Sequence, residues 1–217
     1  MKIGLRGGHS PNCIGAIGLR KEYESMQSLY YYVKECLENN GHKVIDCNSK
    51  ASTQNQELAH GVNTANNNNV DLFISLHMNK YNSKAHGTEC WICNHSSVTD
   101  MANRICERLS KDIGFFNRGV KYSNTMYEMR YTNMPNIIIE VCFCDSEKDI
   151  SIWSPTPYED LALAICKGID PKIENYQGNK SKKYQVRYYT FSNKQDAENF
   201  VEKVKKVSSA WYTIEEM

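Results

Sequence analysis

The stretch Asp71-Leu72-Phe73-Ile74-Ser75-Leu76-His77-Met78-Asn79 decides the fold. An apolar run of this length that ends in polar residues reads as a buried strand of a sheet packed on both faces. Open α/β sheets place their chemistry outside the carboxyl ends of the strands, which is where His77 falls. Two other stretches share this build. Met1-Lys2-Ile3-Gly4-Leu5-Arg6-Gly7-Gly8-His9 is a short strand, a glycine pair, then a histidine. Asn136-Ile137-Ile138-Ile139-Glu140-Val141-Cys142 is an apolar strand holding one carboxylate.

Working outward, strands are predicted over 2–6, 42–47, 71–77, 87–93 and 136–142. A helix is predicted over 22–39, where Met26, Leu29, Tyr30, Val33, Cys36 and Leu37 recur at helical spacing and Asn39-Asn40-Gly41 ends the run. Further helices are predicted over 52–65, from Ser97 to about 113, and over 158–168. The stretch with Asn117-Arg118-Gly119 reads as a loop leading to a short segment near Tyr127-Glu128-Met129. Strands alternating with helices predict an α/β fold, a sheet flanked by helices and at least partly parallel. From about Asp170 the pattern dissolves into Pro, Asn, Gly, Ser and Lys. Residues 1–170 therefore read as one domain, 171–183 as a linker, and 184–217 as a small β-α-β appendage.

Composition narrows the function. The chain has 217 residues and 41% hydrophobic content, enough for a real core. A net charge of +1 gives no drive toward nucleic acid or an anionic membrane. No window approaches the roughly 20 apolar residues of a membrane span. Met1-Lys2-Ile3-Gly4-Leu5-Arg6 runs straight into a strand and holds no signal-peptide core, so synthesis in the cytoplasm is expected. The nine cysteines are scattered and odd in number, which favours free thiols over a disulfide framework. Cys90-Trp91-Ile92-Cys93 has C-x-x-C form but no second pair at zinc spacing, and reads as strand.

A catalytic zinc takes three protein ligands from His, Asp, Glu or Cys. His9 and His77, each at a strand exit, are candidates. Taken singly, one is equally a loop histidine capping backbone groups and the other a satisfied core histidine. Glu22, opening the first helix, is the best-placed third ligand. Glu24 and Asp71 are rivals, with Asp71 at the wrong end of its strand. Glu140 is the candidate acid–base group, because a carboxylate among isoleucines is costly to bury without a partner. Its alternative is a structural ion pair with a lysine or arginine. Cys142 shares a strand face with Glu140 and reads as packing before ligand. His42, His60, His86 and His95 lie in polar, loop-like contexts.

Gly8-His9, Glu22, Ser75-Leu76-His77-Met78-Asn79 and Pro135 leading into Ile138-Ile139-Glu140-Val141-Cys142-Phe143 occur in an order and spacing that resemble a zinc-dependent N-acetylmuramoyl-L-alanine amidase of the Amidase_3 type. The resemblance covers about residues 1–170. Glu22-Tyr23-Glu24-Ser25-Met26-Gln27-Ser28-Leu29 is similar to its counterpart in clostridial phage endolysins. The resemblance implies a mixed, roughly six-stranded sheet, Zn2+ held by His9, Glu22 and His77, and Glu140 as general base and acid. It implies bacterial peptidoglycan as substrate, cut at the amide between N-acetylmuramic acid and L-alanine, and action on the wall after release from the host cytoplasm. A zinc peptidase of the stem peptide and a non-catalytic wall-binding protein on the same fold are the alternatives.

Two departures stand out. Ser10-Pro11-Asn12-Cys13-Ile14-Gly15 replaces the usual Gly-rich loop after the first histidine. An arginine common on the second helix is absent, with Gly61 about where it would sit. The tail from Tyr184 to Ala197 resembles the opening half of a SPOR-type repeat, a candidate for wall binding or self-association.

Overall fold

A computed structural model describes residues 1–94 and 96–176; the 184–217 appendage and most of the linker expected before it lie outside them. The elements are β1 (Lys2–Arg6), α1 (Glu22–Asn39), β2 (Lys43–Asp46), α2 (Gln54–Asn67), β3 (Leu72–Asn79), β4 (Thr88–Ile92), α3 (Thr99–Arg108), β5 (Asn117–Tyr122), α4 (Tyr127–Tyr131), β6 (Asn136–Phe143), α5 (Glu147–Trp153) and α6 (Tyr158–Ile169). The six strands form one sheet in the order β2-β1-β3-β6-β4-β5. β2, β1, β3 and β6 run parallel, β4 is antiparallel to β6, and β5 is parallel to β4. The mixed six-stranded α/β architecture is the one expected from the sequence.

The two sheet faces differ. Ile3, Leu5, Ile74, Leu76, Ile137, Ile139 and Val141 join Met26, Leu29 and Val33 of α1, Ile105 of α3, and Leu161 and Ile165 of α6 in one continuous core. By strand alternation the opposite face carries Phe73, Ser75 and His77 on β3. There Phe73 packs with Cys47, Ala65 and Val70 in a small second cluster beneath α2. Toward the strand ends this face turns polar, with Ser75, His77, Glu140 and Glu89. The sheet is packed on both faces as expected through Ser75, and this face opens only partly at His77 and Glu140, which positions the site.

β5 forms where a loop was expected. Its sequence Asn117-Arg118-Gly119-Val120-Lys121-Tyr122 lacks clear alternation, because an edge strand with one partner has no fully buried face to pattern. Gly119 has φ +75° beside the register shift at Thr88/Glu89. α5 was also unmarked in the sequence. Ser146 caps it, its side chain accepting from the Asp149 N–H at 3.3 Å. Packing continues past Asp170: Ile173 joins the core and the Tyr176 hydroxyl donates to Glu35 at 2.5 Å.

Candidate metal centre

β1 delivers His9 through Gly7-Gly8. A Cβ on Gly8 would sit 2.6 Å from the Leu76 carbonyl oxygen and 2.7 Å from the His77 ring, so glycine alone fits between the two histidine strands. His9 itself has φ +64°, a left-handed conformation that costs a non-glycine residue roughly 1–2 kcal/mol. Such strain at a polar residue marks a position fixed by its surroundings.

Glu22 is the hub. Its Oε2 lies 3.1 Å from His9 Nε2 and its Oε1 2.9 Å from His77 Nδ1. The two imidazole rings stand edge to face with centroids 5.0 Å apart. Two backbone groups fix the carboxylate further: the Met78 N–H donates to Oε1 at 3.0 Å and the Ala16 N–H to Oε2 at 2.7 Å. Burial alone would raise the Glu22 carboxyl, but the hydrogen bonds and charge of His77 and His9 outweigh it and hold the carboxyl well below the carboxylate range. Burial alone would lower His77, and the Glu22 hydrogen bond and charge reverse that, so its pKa is raised.

Glu22 reaches this place because α1 starts under a folded loop. The Glu22 N–H donates to the Ala16 carbonyl and the Tyr23 N–H to the Ile14 carbonyl, which caps α1 without a side-chain cap. Gly15 in this loop has φ +69°, and a Cβ there would collide with the His9 ring and Glu22 Oε2. The segment that departs from the usual Gly-rich loop thus keeps glycine where the site demands it. Gly15→Ala is expected to destabilise the protein by at least roughly 1 kcal/mol from backbone strain alone, read by thermal melts.

His9, Glu22 and His77 each offer one ligand atom, all within 4.8 Å of one another. Two imidazole nitrogens and a carboxylate oxygen form a donor set that suits zinc. Glu140 sits beside them, directly across from His77 in the β3–β6 register. Burial pushes its carboxyl up to about 7; the His77 charge opposes this while Glu22, Glu89 and Glu128 add to it. Glu140 Oε2 is buried with no hydrogen-bond partner among the described residues. Glu89, opposite Glu140 on β4, differs: it accepts from Arg118 at 2.7 Å, Asn79 at 3.0 Å and Trp91 at 3.1 Å. Glu89 is thus a satisfied structural carboxylate, whereas one oxygen of Glu140 has no hydrogen-bond partner among the described residues.

The rival ligands fall elsewhere. Glu24 is exposed and pairs with Lys21, and Asp71 accepts from the Lys2 N–H. Cys142 is buried in the main core, where burial pushes its thiol well up. His42 pairs with Asp170, His60 is exposed on α2, and His86 contacts Lys148 and Phe116. His95 lies outside the described residues.

Sequence reading missed a buried group behind the site: Arg6, Glu57, Ser75 and Glu128. Arg6 pairs with Glu57 and Glu128, and its side chain is fully buried. The available signal was Arg6 itself, since a guanidinium at the end of a buried strand must find carboxylates. The resemblance expects an arginine near Gly61. A Cβ on Gly61 would lie 3.1 Å from Arg6 Nη1, so the Arg6 side chain from β1 occupies the space that a side chain at Gly61 would enter.

Comparison with known proteins identifies the family to which this fold belongs. The N-acetylmuramoyl-L-alanine amidase family Amidase_3 matches residues 3–171. An uncharacterised protein of Clostridium perfringens is 36% identical over 176 residues, which are 79% of this chain and 52% of that protein. The N-acetylmuramoyl-L-alanine amidase LytC of Bacillus subtilis is 28% identical over 118 residues, covering 52% of this chain and 24% of LytC. This chain thus spans about half the length of the Clostridium perfringens relative and less of LytC. Among solved structures, the catalytic domain of the CD27L endolysin, which targets Clostridia difficile, superposes with a TM-score of 0.73 at 31% identity, covering 81% of this chain and 99% of that domain. With a match over residues 3–171 and a whole solved domain aligned at 31% identity, the chain belongs to the Amidase_3 family of N-acetylmuramoyl-L-alanine amidases.

Proposed function

We propose that the protein is a zinc-dependent peptidoglycan hydrolase that cleaves the amide joining N-acetylmuramic acid to the L-alanine of the stem peptide. The observation that carries this reading is the single Glu22 carboxylate bridging His9 and His77, with Glu140 next to them on the open part of the sheet. His9, Glu22 and His77 would hold the metal. Bound there, zinc supplies Lewis-acid polarisation of a carbonyl oxygen and of water.

Glu140 takes a proton from the attacking water as the water oxygen bonds to the lactyl carbonyl carbon. It then gives that proton to the alanine nitrogen as the carbon–nitrogen bond breaks, leaving a lactyl carboxylic acid and a free amine, between which the remaining acid proton passes to give carboxylate and ammonium. A group near neutrality suits both transfers. Exposed Ile17, Leu19 and Tyr81 lie on the loops that follow His9 and β3, which fits a long polymer lying in an open groove.

The likeness to the CD27L endolysin domain supports a phage-type lytic role, with the enzyme reaching the wall after release from the host cytoplasm. Among the described residues no helix is long and apolar enough to cross a membrane. Residues 184–217 are proposed as a separate small module that binds wall or self-associates.

Mass spectrometry of soluble fragments from purified sacculi tests the bond. New L-alanine amino termini with intact muramic acid are expected, abolished by a chelator and restored by zinc. New termini inside the stem peptide would establish the peptidase alternative, and no soluble fragments at all would establish the binding protein. Active protein that contains no zinc would sink the metal reading.

A further inference from the structure

Behind the ligand cluster lies a buried polar chain that the reaction above does not use. Arg6, at the end of β1, is fully buried. One arm of its guanidinium pairs with Glu57 of α2, and the other reaches Glu128 Oε1 of α4 at 3.1 Å. The second Glu57 oxygen faces His9 Nδ1 across 3.9 Å. Glu128 Oε1 also receives the Ser75 hydroxyl at 3.2 Å, and that hydroxyl lies 3.0 Å from His77 Nε2. Glu57, Ser75 and Glu128 are themselves almost wholly buried. Two elements off the sheet and two strands within it therefore converge on one cation.

The direction of these hydrogen bonds follows from the chemistry of the groups. A carboxylate held by a guanidinium only accepts, so the Ser75 hydroxyl donates to Glu128. Its proton is then committed, and toward His77 it can only accept. His77 therefore carries a proton on Nε2; without metal its Nδ1 also carries one, donated to Glu22 Oε1 at 2.9 Å, and that second proton is the one a metal would displace. On the other arm, the Glu57 charge lies 3.9 Å from His9 Nδ1, which has no hydrogen-bond partner among the described residues, and His9 Nε2 faces Glu22.

We infer that Arg6 is the positioning cation of this centre: it fixes Glu128, which holds the Ser75 hydroxyl on His77 Nε2, and it fixes the Glu57 charge beside His9 Nδ1, and so places both histidine ligands. The inference rests on the zinc reading given under Proposed function. The guanidinium need not come from β1. A Cβ on Gly61 would lie 3.1 Å from Arg6 Nη1 and 3.3 Å from its Cδ, so a long side chain grown from Gly61 would enter the same space. Gly61→Arg alone collides with Arg6, but with Arg6 shortened to alanine it can supply the charge from α2.

The test is zinc affinity of the full chain, measured by competition with a chromophoric chelator, with circular dichroism confirming that each variant is folded. Ser75→Ala removes the hydroxyl that links Glu128 to His77, and Glu57→Gln removes the charge between Arg6 and His9; each is expected to bind zinc roughly 10–100-fold more weakly, the usual effect of losing an outer partner of a ligand. Arg6→Ala is expected to lose at least as much, and Arg6→Ala/Gly61→Arg to recover to within about tenfold of the unsubstituted chain. With nitrogen-15-labelled histidine, the zinc-loaded protein should show His77 protonated on Nε2, and Ser75→Ala should shift that signal. Folded Ser75→Ala and Glu57→Gln proteins that bind zinc within twofold of the unsubstituted chain would overturn the inference, as would a double variant no better than Arg6→Ala. Failure of the unsubstituted chain to bind zinc would instead overturn the metal reading itself, and the inference with it.

Discussion

Glu140→Gln is expected to cut release of soluble wall fragments by roughly 10²–10⁴-fold, the usual contribution of a general acid–base group, while zinc affinity stays within about twofold. The separation is geometric. Glu140 lies across from His77 in register, but the three candidate ligand atoms belong to His9, Glu22 and His77. Removing its carboxylate leaves that cluster and its backbone anchors in place. Stability should hold or rise, since Glu140 Oε2 is buried without a partner and neighbours three other carboxylates. The pH dependence has a definite sign. Folding raises the Glu140 carboxyl from its ordinary 4.5 to about 7. Between those values the folded state binds more protons than the unfolded one, so this group lowers stability as pH rises through the window. Metal-free Glu140→Gln should therefore gain on the metal-free parent as pH goes from about 4 to about 7, read from denaturant midpoints. Undiminished wall digestion by this variant would remove Glu140 from the mechanism.

What the sequence disclosed depended on how local each feature is. β3 and β6 were readable because their apolar runs come from burial in the middle of a sheet; His77 stood out at the end of one run and Glu140 as a carboxylate inside the other. β5 was not readable, because an edge strand with a glycine at φ +75° carries neither a run nor an alternation. The partial opening of one face at His77 and Glu140 was not readable, since an apolar run does not distinguish a face covered by helices from one that ends in a partly open site. Glu22 followed from resemblance and not from spacing: it reaches the histidines only because loop carbonyls and N–H groups from Ile14 and Ala16 hold the start of α1 over the strand ends. Arg6, Glu57 and Glu128 are separated by up to 122 positions, and a buried ion network between distant elements leaves no periodic trace.

Glu22→Gln should have the larger effect on the metal. The substitution keeps size and shape, so it isolates charge. The carboxylate now accepts from the Met78 and Ala16 N–H groups while facing His77 and His9. An amide offers one acceptor oxygen and one donor nitrogen, so one backbone N–H is left facing an NH₂ group. Loss of an outer partner of a metal ligand already costs roughly 10–100-fold in affinity. Loss of a charged ligand together with one of its two anchors should cost more than roughly 100-fold on that scale. Zinc titration of the folded variant measures it, and wall digestion should vanish with the metal. The consequence for the histidines is equally specific. His77 loses the partner that raises it against its burial, so its pKa in the metal-free variant should fall relative to the metal-free parent, read by NMR titration. In the parent the raised His77 contributes stability below the ordinary histidine range, lost as pH rises through its folded pKa, and the variant should lack that acid-side contribution. A Glu22→Gln protein that binds zinc as the parent does would show that the two histidines hold the metal with some other group, and would return Glu22 to the role of a loop anchor.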